Sequence, residues 1–301
     1  MLSRIAEAFF WIGRYLERAE ATARMLSEHH QLLVEDRSVP EGLGCAVLLD
    51  ALSLPHVDVS DPHGLVHALV GGPDDPSTVA GAVAAARENA RGVRDALSGD
   101  IFEALNASYL MLTTGEVIES SPGVALHEVM DRLLQVHGVV DWTMPRDEGY
   151  LFLRLGRSLE RIDMTARLLA VRHDQLWPES GPVATLRSAG ALSSFLRTRR
   201  PVTGDDVRAF LVLDSALPRS IRRSASDAEE AVRQLDRASN SDVSDLLREV
   251  GMLHSVLEFA VQPTSEQVEE LAERAQASAT RASNEVAHAF FRPAGAVVWS
   301  H

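Results

Sequence analysis

The chain has 301 residues, 46% of them hydrophobic and 24% charged, which suffices for a sizeable core and does not fit a disordered polypeptide. Its formal net charge of −14 argues against a broad nucleic-acid-binding face, which needs clustered positive charge. All 29 basic residues are arginine, which excludes Schiff-base and phosphate-loop lysines, and the single cysteine, Cys45, excludes an internal disulfide or a thiolate metal cluster.

Helical periodicity governs the chain from its start. Ile5, Phe9, Ile12, Leu16, Ala19, Ala23 and Leu26 recur by threes and fours and form the apolar face of one long helix. At about 100° per residue, Arg4, Glu7, Trp11, Arg14, Arg18 and Met25 share the opposite stripe, with Glu17, Glu20 and Arg24 on its flank. Trp11 does not suit a solvated face, so this stripe is expected to be covered. No apolar run of signal length follows Arg4 and Glu7, and no segment is long enough to span a bilayer, so a soluble cytoplasmic protein is expected. Gly42–Leu49 gives Cys45 an apolar setting, that of a packed thiol rather than a nucleophile.

Further along, Val57-Asp58-Val59 is too short to count as a strand. A short apolar stretch, Leu65–Val70, leads through a Gly/Pro loop to Pro76-Ser77-Thr78-Val79, which opens an Ala- and Arg-rich helix. Asp100-Ile101 begins another helix. Pro145 suits the first turn of a second long helix, and Asp147 and Glu148 favour its positive end. Phe152, Leu155, Leu159, Ile162, Ala166 and Leu169 form that helix's apolar face. Val207–Leu213 and Pro218-Arg219-Ser220-Ile221 then repeat the earlier order of apolar stretch and helix start, and Asp242-Val243 opens a further helix.

The two long helices share more than a period. Residues 13–26 and 156–169 are identical at nine of 14 positions at an offset of 143, and Glu20 is matched by Asp163. Packing alone would retain apolar spacing and let surface charges drift, yet Arg, Glu, Arg, acid, Thr and Arg all return in place. The expected architecture is a single all-α body of about ten helices, built from two tandem halves, 1–142 and 143–301, related by a pseudo-twofold axis. Two independent domains are the alternative, and the period is too long for a solenoid.

Such an axis would bring the two charged stripes together, with two outcomes that can coexist; plain solvated faces are the third reading. One is a structural network in which Arg14, Arg18 and Arg24 pair with Glu160 and Asp163, and the reverse. The other is a pocket whose guanidinium groups hold an anionic ligand, a phosphate or a peptide carboxylate, while Glu17 or Glu160 handles protons. No metal is expected. A di-iron bundle needs two Glu-x-x-His motifs and only Glu285–His288 matches, while His29, His30, His127, His137, His173 and His254 lack partners at ligand spacing. Phosphate loops, nucleophile elbows and zinc-protease motifs are absent from the sequence, and no cofactor is indicated.

The run Leu2–Glu20, reading LSRIAEAFFWIGRYLERAE, resembles the opening signature of the bacterial alpha-E domain family. So do Ala86–Asp95, Asn106, and Asp147–Tyr150 running into Gly156–Arg167, so that the resemblance covers nearly the whole chain. It implies an all-helical protein whose gene neighbours encode a circularly permuted ATP-grasp ligase and a transglutaminase-like cysteine protease, a setting for making or trimming peptide or amide bonds. The family pattern falls on Glu7, Trp11, Arg14, Glu17, Arg18, Glu20 and Arg24, on Arg87, Asn89 and Arg91, and on Glu148, Arg157, Glu160, Arg161, Asp163 and Arg167. The chain departs from it at Ile162, where Ala is frequent, and at Ala228-Glu229-Glu230-Ala231 in place of an Arg-Glu-Asn-Ala type of motif. The resemblance implies a helical partner of the ligase that binds it, or an anionic peptide intermediate, through the Arg/Glu cluster, with Glu17 and Glu160 as candidates for proton transfer. A stand-alone enzyme acting on the amide product and a pure scaffold are the other readings.

Overall fold

A computed structural model describes residues 1–54, 57–114, 121–239 and 241–291, and over these residues the chain is all-helical without a strand. The elements are α1 (Ser3–Glu35), α2 (Glu41–Ala51), α3 (Pro62–Val70), α4 (Val79–Gly92), a 3-10 turn (Arg94–Ala96), α5 (Gly99–Thr113), α6 (Pro122–Thr143) and α7 (Glu148–Ala170). There follow α8 (His173–Leu176), α9 (Gly181–Ser188), α10 (Leu192–Arg197), α11 (Gly204–Leu213), α12 (Ile221–Ala238), α13 (Ser244–Glu258) and α14 (Ser265–Phe290). This is more than the ten or so helices expected. The surplus includes α8, α9 and α10, which at four, eight and six residues are too short to show a period.

Side-chain caps fix several helix starts. Thr78 accepts from the Gly81 amide at 3.0 Å ahead of α4, and Ser220 accepts from the Arg223 amide at 3.0 Å ahead of α12. Asp147 caps α7 by accepting from the Tyr150 amide at 3.3 Å. Pro145 therefore lies before the helix and not in its first turn, because the cap has already been taken two residues later. Thr264 and Gln267 form a reciprocal capping box at the start of α14.

The two helices with the most buried residues, α1 and α7, pack against each other at the centre of the molecule. Helices α4 and α6 flank α1, with α5 packed on both; α12 and α14 flank α7, with α13 packed on both. The apolar faces read from the sequence fill this core: Phe9, Ile12, Leu16 and Leu26 of α1, and Phe152, Leu155, Leu159 and Ile162 of α7, are all at most 2% exposed. Cys45 is buried as a packed thiol, and burial pushes its pKa up to about 11. No helix among the described residues is long and apolar enough to cross a membrane.

Two glycines set how closely α1 and α7 approach. A Cβ on Gly13 would lie 2.1 Å from the Leu153 carbonyl oxygen, and one on Gly156 would lie 2.1 Å from the Phe10 carbonyl oxygen. Only glycine fits at either position, and the contacts are reciprocal. The backbones touch here, and the side chains one turn further on must meet.

Candidate arginine–glutamate site

One turn beyond the glycine contact, each long helix presents a Glu-Arg pair to the other. Arg161 of α7 grips Glu17 of α1 with two bonds, Nε to Oε1 at 3.0 Å and Nη2 to Oε2 at 2.7 Å. In return Arg18 of α1 donates to Glu160 of α7, Nε to Oε1 at 2.6 Å and Nη2 to Oε2 at 3.3 Å. Arg14 adds a further bond to Glu160 and one to Ser283 of α14. Two-point contacts of this kind suit the planar guanidinium fork and fix the register of the helices.

Several partners differ from those expected. Arg24 stays on its own helix, where its Nε donates to Glu20 at 2.9 Å, and Arg167 does the same with Asp163 at 2.7 Å. Asp163 also accepts from Gln276 of α14 at 3.0 Å, while Arg167 reaches Ser53 at 2.7 Å. Arg157 turns to Asp141 of α6, at 3.3 Å, and does not pair with Glu17. The second partner of Glu17 is Arg219, which precedes α12, donates at 2.5 Å and bonds Glu20 as well.

The remaining predicted residues lie apart from this centre. Glu7 is exposed. Trp11 is half-buried, stacked on Tyr15 and with the Arg14 guanidinium 5.8 Å from its ring centre, so its part of the stripe is covered by its own neighbours. Arg87 joins α4 to α5 by donating to Asn106 at 2.8 Å and lying over Tyr109. Asn89 bonds the Ala85 carbonyl of its own helix, and Arg91 pairs with Glu88 on the surface. Glu148 sits in the first turn of α7, 2.7 Å from the Met1 amine.

The electrostatics of the centre are lopsided. Six guanidinium groups, of Arg14, Arg18, Arg24, Arg161, Arg167 and Arg219, serve four carboxylates, of Glu17, Glu20, Glu160 and Asp163. Glu17, Glu20 and Glu160 are fully buried, whereas the side chains of Arg18, Arg161 and Arg219 keep 25%, 16% and 17% of their surface in solvent. Burial pushes the Glu17 carboxyl up, but Arg161 and Arg219 outweigh it and hold the group well below the usual carboxylate range. Glu20 is likewise lowered against burial, chiefly by Arg219. Both acids are fixed anions at neutral pH.

Sequence reasoning missed three participants. Arg219 lies 200 residues from its acids and outside the repeated block; the one signal was its place beside a helix start whose counterpart, Ser77, is uncharged. His137 of α6 lies close enough to Glu17, Glu20, Arg157 and Arg219 to feel their charges, and its buried Nε2 has no hydrogen-bond partner among the described residues. Burial lowers its pKa and keeps it neutral. The third is a buried imidazole pair at the far end of α1. His29 Nε2 lies 2.9 Å from the Gly44 carbonyl, which can only accept, so Nε2 carries the proton. His29 Nδ1 must then accept from His173 Nε2 at 3.0 Å, and His173 Nδ1 lies 3.2 Å from the Thr185 hydroxyl, which donates to the Gly181 carbonyl at 3.0 Å. Trp177 closes the cluster edge-on at 5.5 Å. Among the described residues no group of three His, Cys, Asp or Glu side chains could hold a metal ion.

The Alpha-E family model, described as a predicted alpha-helical domain with a conserved ER motif, matches residues 1–291. The chain belongs to the Alpha-E family. Two of its Glu-Arg dipeptides, Glu17-Arg18 and Glu160-Arg161, are those that clasp each other across the helix crossing. Among similar curated proteins, an uncharacterized protein of Mycobacterium bovis is 26% identical over 276 residues, 81% of this chain and 30% of the relative. An uncharacterized protein of Mycobacterium tuberculosis is 25% identical over the same shares. The Alpha-E chain thus spans about 30% of the length of the curated relatives it matches. No solved structure matches it.

Proposed function

We propose that this Alpha-E protein is a helical partner of an ATP-grasp enzyme that forms amide or peptide bonds, and that its arginine–glutamate centre contacts the ligase or an anionic peptide intermediate. One observation carries the reading. The Glu17, Glu20 and Glu160 carboxylates are fully buried while Arg18, Arg161 and Arg219 keep 16–25% of their side chains in solvent, so what the centre offers a ligand is chiefly positive charge, on a chain of net charge −14. The length of the relatives supports it: there the same region is a minor part of a much longer polypeptide and works beside further chain. The parallel surroundings of α1 and α7 support descent from a duplicated unit with halves 1–142 and 143–301. A cytoplasmic setting, where ATP and a transglutaminase-like protease of the same system would be at hand, fits this role.

Glu17 and Glu160 are proposed as anchors that aim the arginines, because each is already gripped by two guanidinium groups. That saturation also favours a second reading, a scaffold whose charges only set the register of α1 on α7. Titration calorimetry with a short glutamate-rich peptide, followed by mixing with a candidate ATP-grasp ligase on a sizing column, separates the two. The partner reading expects the peptide to bind, weakening about tenfold in Arg18→Met, and a complex to elute. Neither binding nor complex at roughly 50 μM of each protein leaves the scaffold.

A further inference from the structure

A second, separate cleft lies on the other flank of α7, between α7, α11 and α14. It has a volume of about 100 Å³ and a floor of Ala166, Leu169, Ala170, Val268 and Ala272. Its polar wall is formed by Arg172, Arg208, Glu269, Glu273 and Gln276.

Two nitrogens of this wall are buried without a partner among the described residues. Arg208 is more than nine-tenths buried; Asp174 and Asp205 accept from its Nη1 and Nη2, while its Nε has no hydrogen-bond partner among the described residues. The Nε of Arg172 is also buried and unpartnered. Arg172 itself takes the left-handed backbone, φ 55° and ψ 47°, that closes the C-terminus of α7. Between the two arginines sits the Glu269 carboxylate, 2.8 Å from Arg172 Nη1 but 3.7 Å from Arg208 Nε, too far to satisfy it. Glu269 is itself 40% exposed and free to swing away.

We propose that this cleft binds a small α-amino acid or the equivalent terminal unit of a peptide. The ligand carboxylate takes the place now held by Glu269 and engages Arg172 and Arg208. Glu269, displaced, joins Glu273 in facing the ammonium group. The alanine-lined floor of this small cleft suits a short side chain. The site is distinct from the arginine–glutamate centre, which it touches only through Gln276, and it stands whether or not that centre has a ligand.

Titration calorimetry of the intact chain with L-alanine, propionate and methylammonium tests the assignment. L-alanine is expected to bind saturably with a Kd of roughly millimolar or tighter, propionate more weakly, and methylammonium not at all. Arg172→Gly supplies the folding control, because glycine accepts the left-handed backbone while removing the guanidinium. It should weaken L-alanine at least about tenfold without lowering the Tm. Glu269→Gln should tighten propionate by removing its competitor and narrow the margin between L-alanine and propionate. No saturable L-alanine binding up to about 50 mM, equal binding of methylammonium, or unchanged affinity in Arg172→Gly would each overturn the site.

Discussion

Replacing Gly13 with alanine tests how tightly α1 and α7 must cross. The new methyl would sit 2.1 Å from the Leu153 carbonyl oxygen, where ordinary contact needs 3.4 Å or more, so the helices must part by about 1.3 Å at that point. Overpacking of this kind costs about 1–3 kcal/mol. The same movement stretches the Arg161–Glu17 and Arg18–Glu160 bonds, now 2.7 and 2.6 Å, toward 4 Å, and each such charged bond contributes about 1.5–3 kcal/mol. Against this, alanine gains about 1 kcal/mol of helix propensity over glycine. The net loss is about 3–8 kcal/mol, a large part of a typical domain's stability, and should appear in guanidinium unfolding as a lowered midpoint with an unchanged slope. Because Gly156 meets Phe10 across the same gap, a helix pair already forced apart accommodates the second methyl at less cost. The double variant should therefore fall short of the summed losses by at least about 1 kcal/mol. Gly138→Ala on α6, where no atom lies within 4 Å of the new Cβ, is the control and should be neutral or stabilising. A Gly13→Ala variant that behaves like Gly138→Ala, or a strictly additive double, would refute the close crossing.

The buried imidazole pair predicts an acid-side loss of stability. Burial holds His29 down at about 4 and His173 well below the usual imidazole range, so the unfolded chain binds protons that the folded chain refuses. Stability is full above about pH 6.5 and declines toward pH 4, by about 3 kcal/mol for His29 alone. Unfolding free energies at pH 7.5, 6 and 4.5 should show that slope, and His29→Gln should flatten it; a slope indifferent to the substitution removes the pair from the account. Glu17→Gln leaves Arg161 and Arg219 without their shared anion and should cost about 3–5 kcal/mol, read by the same unfolding assay. A near-neutral result would mean that the centre contributes little to the fold. Cys45, buried and pushed up to about 11, should resist a disulfide-exchange reagent in native protein and react at once in denaturant; rapid native labelling would contradict its burial.

Residues whose roles repeat with a period could be read from the chain alone. The apolar ladders of α1 and α7, and the nearness of Glu17 to Arg161 and of Glu160 to Arg18, follow from helical spacing plus a charged block occurring twice. Interactions set by tertiary packing could not be read. Arg219 carries no periodic signal, His29 and His173 are 144 residues apart in segments of unlike sequence, and α8 to α10 are too short to show a period. Pro145 misled because a proline fits a first turn, yet an Asp cap two residues later outcompeted it. Arg24 and Arg167 misled for another reason. Each had an acid one turn away on its own helix, and a local partner orders fewer atoms than a distant one.

The asymmetry of the centre bears on its use. If charges served only to lock two similar helices, equivalent positions would find equivalent partners. Arg14 and Arg157 occupy matching places in the repeated block, yet Arg14 bonds Glu160 while Arg157 leaves Glu17 to Arg219 and pairs loosely with Asp141. On that same side lies His137, with a buried nitrogen lacking a partner among the described residues. A weakly held guanidinium beside an unsatisfied imidazole is an arrangement that costs stability without improving the register. The Arg157–His137 side is therefore where a ligand of the centre should first be sought. An Arg157→Met variant that loses peptide binding while keeping its unfolding midpoint would separate use from support, because Arg157 makes only one 3.3 Å bond and its removal leaves both long helices clasped.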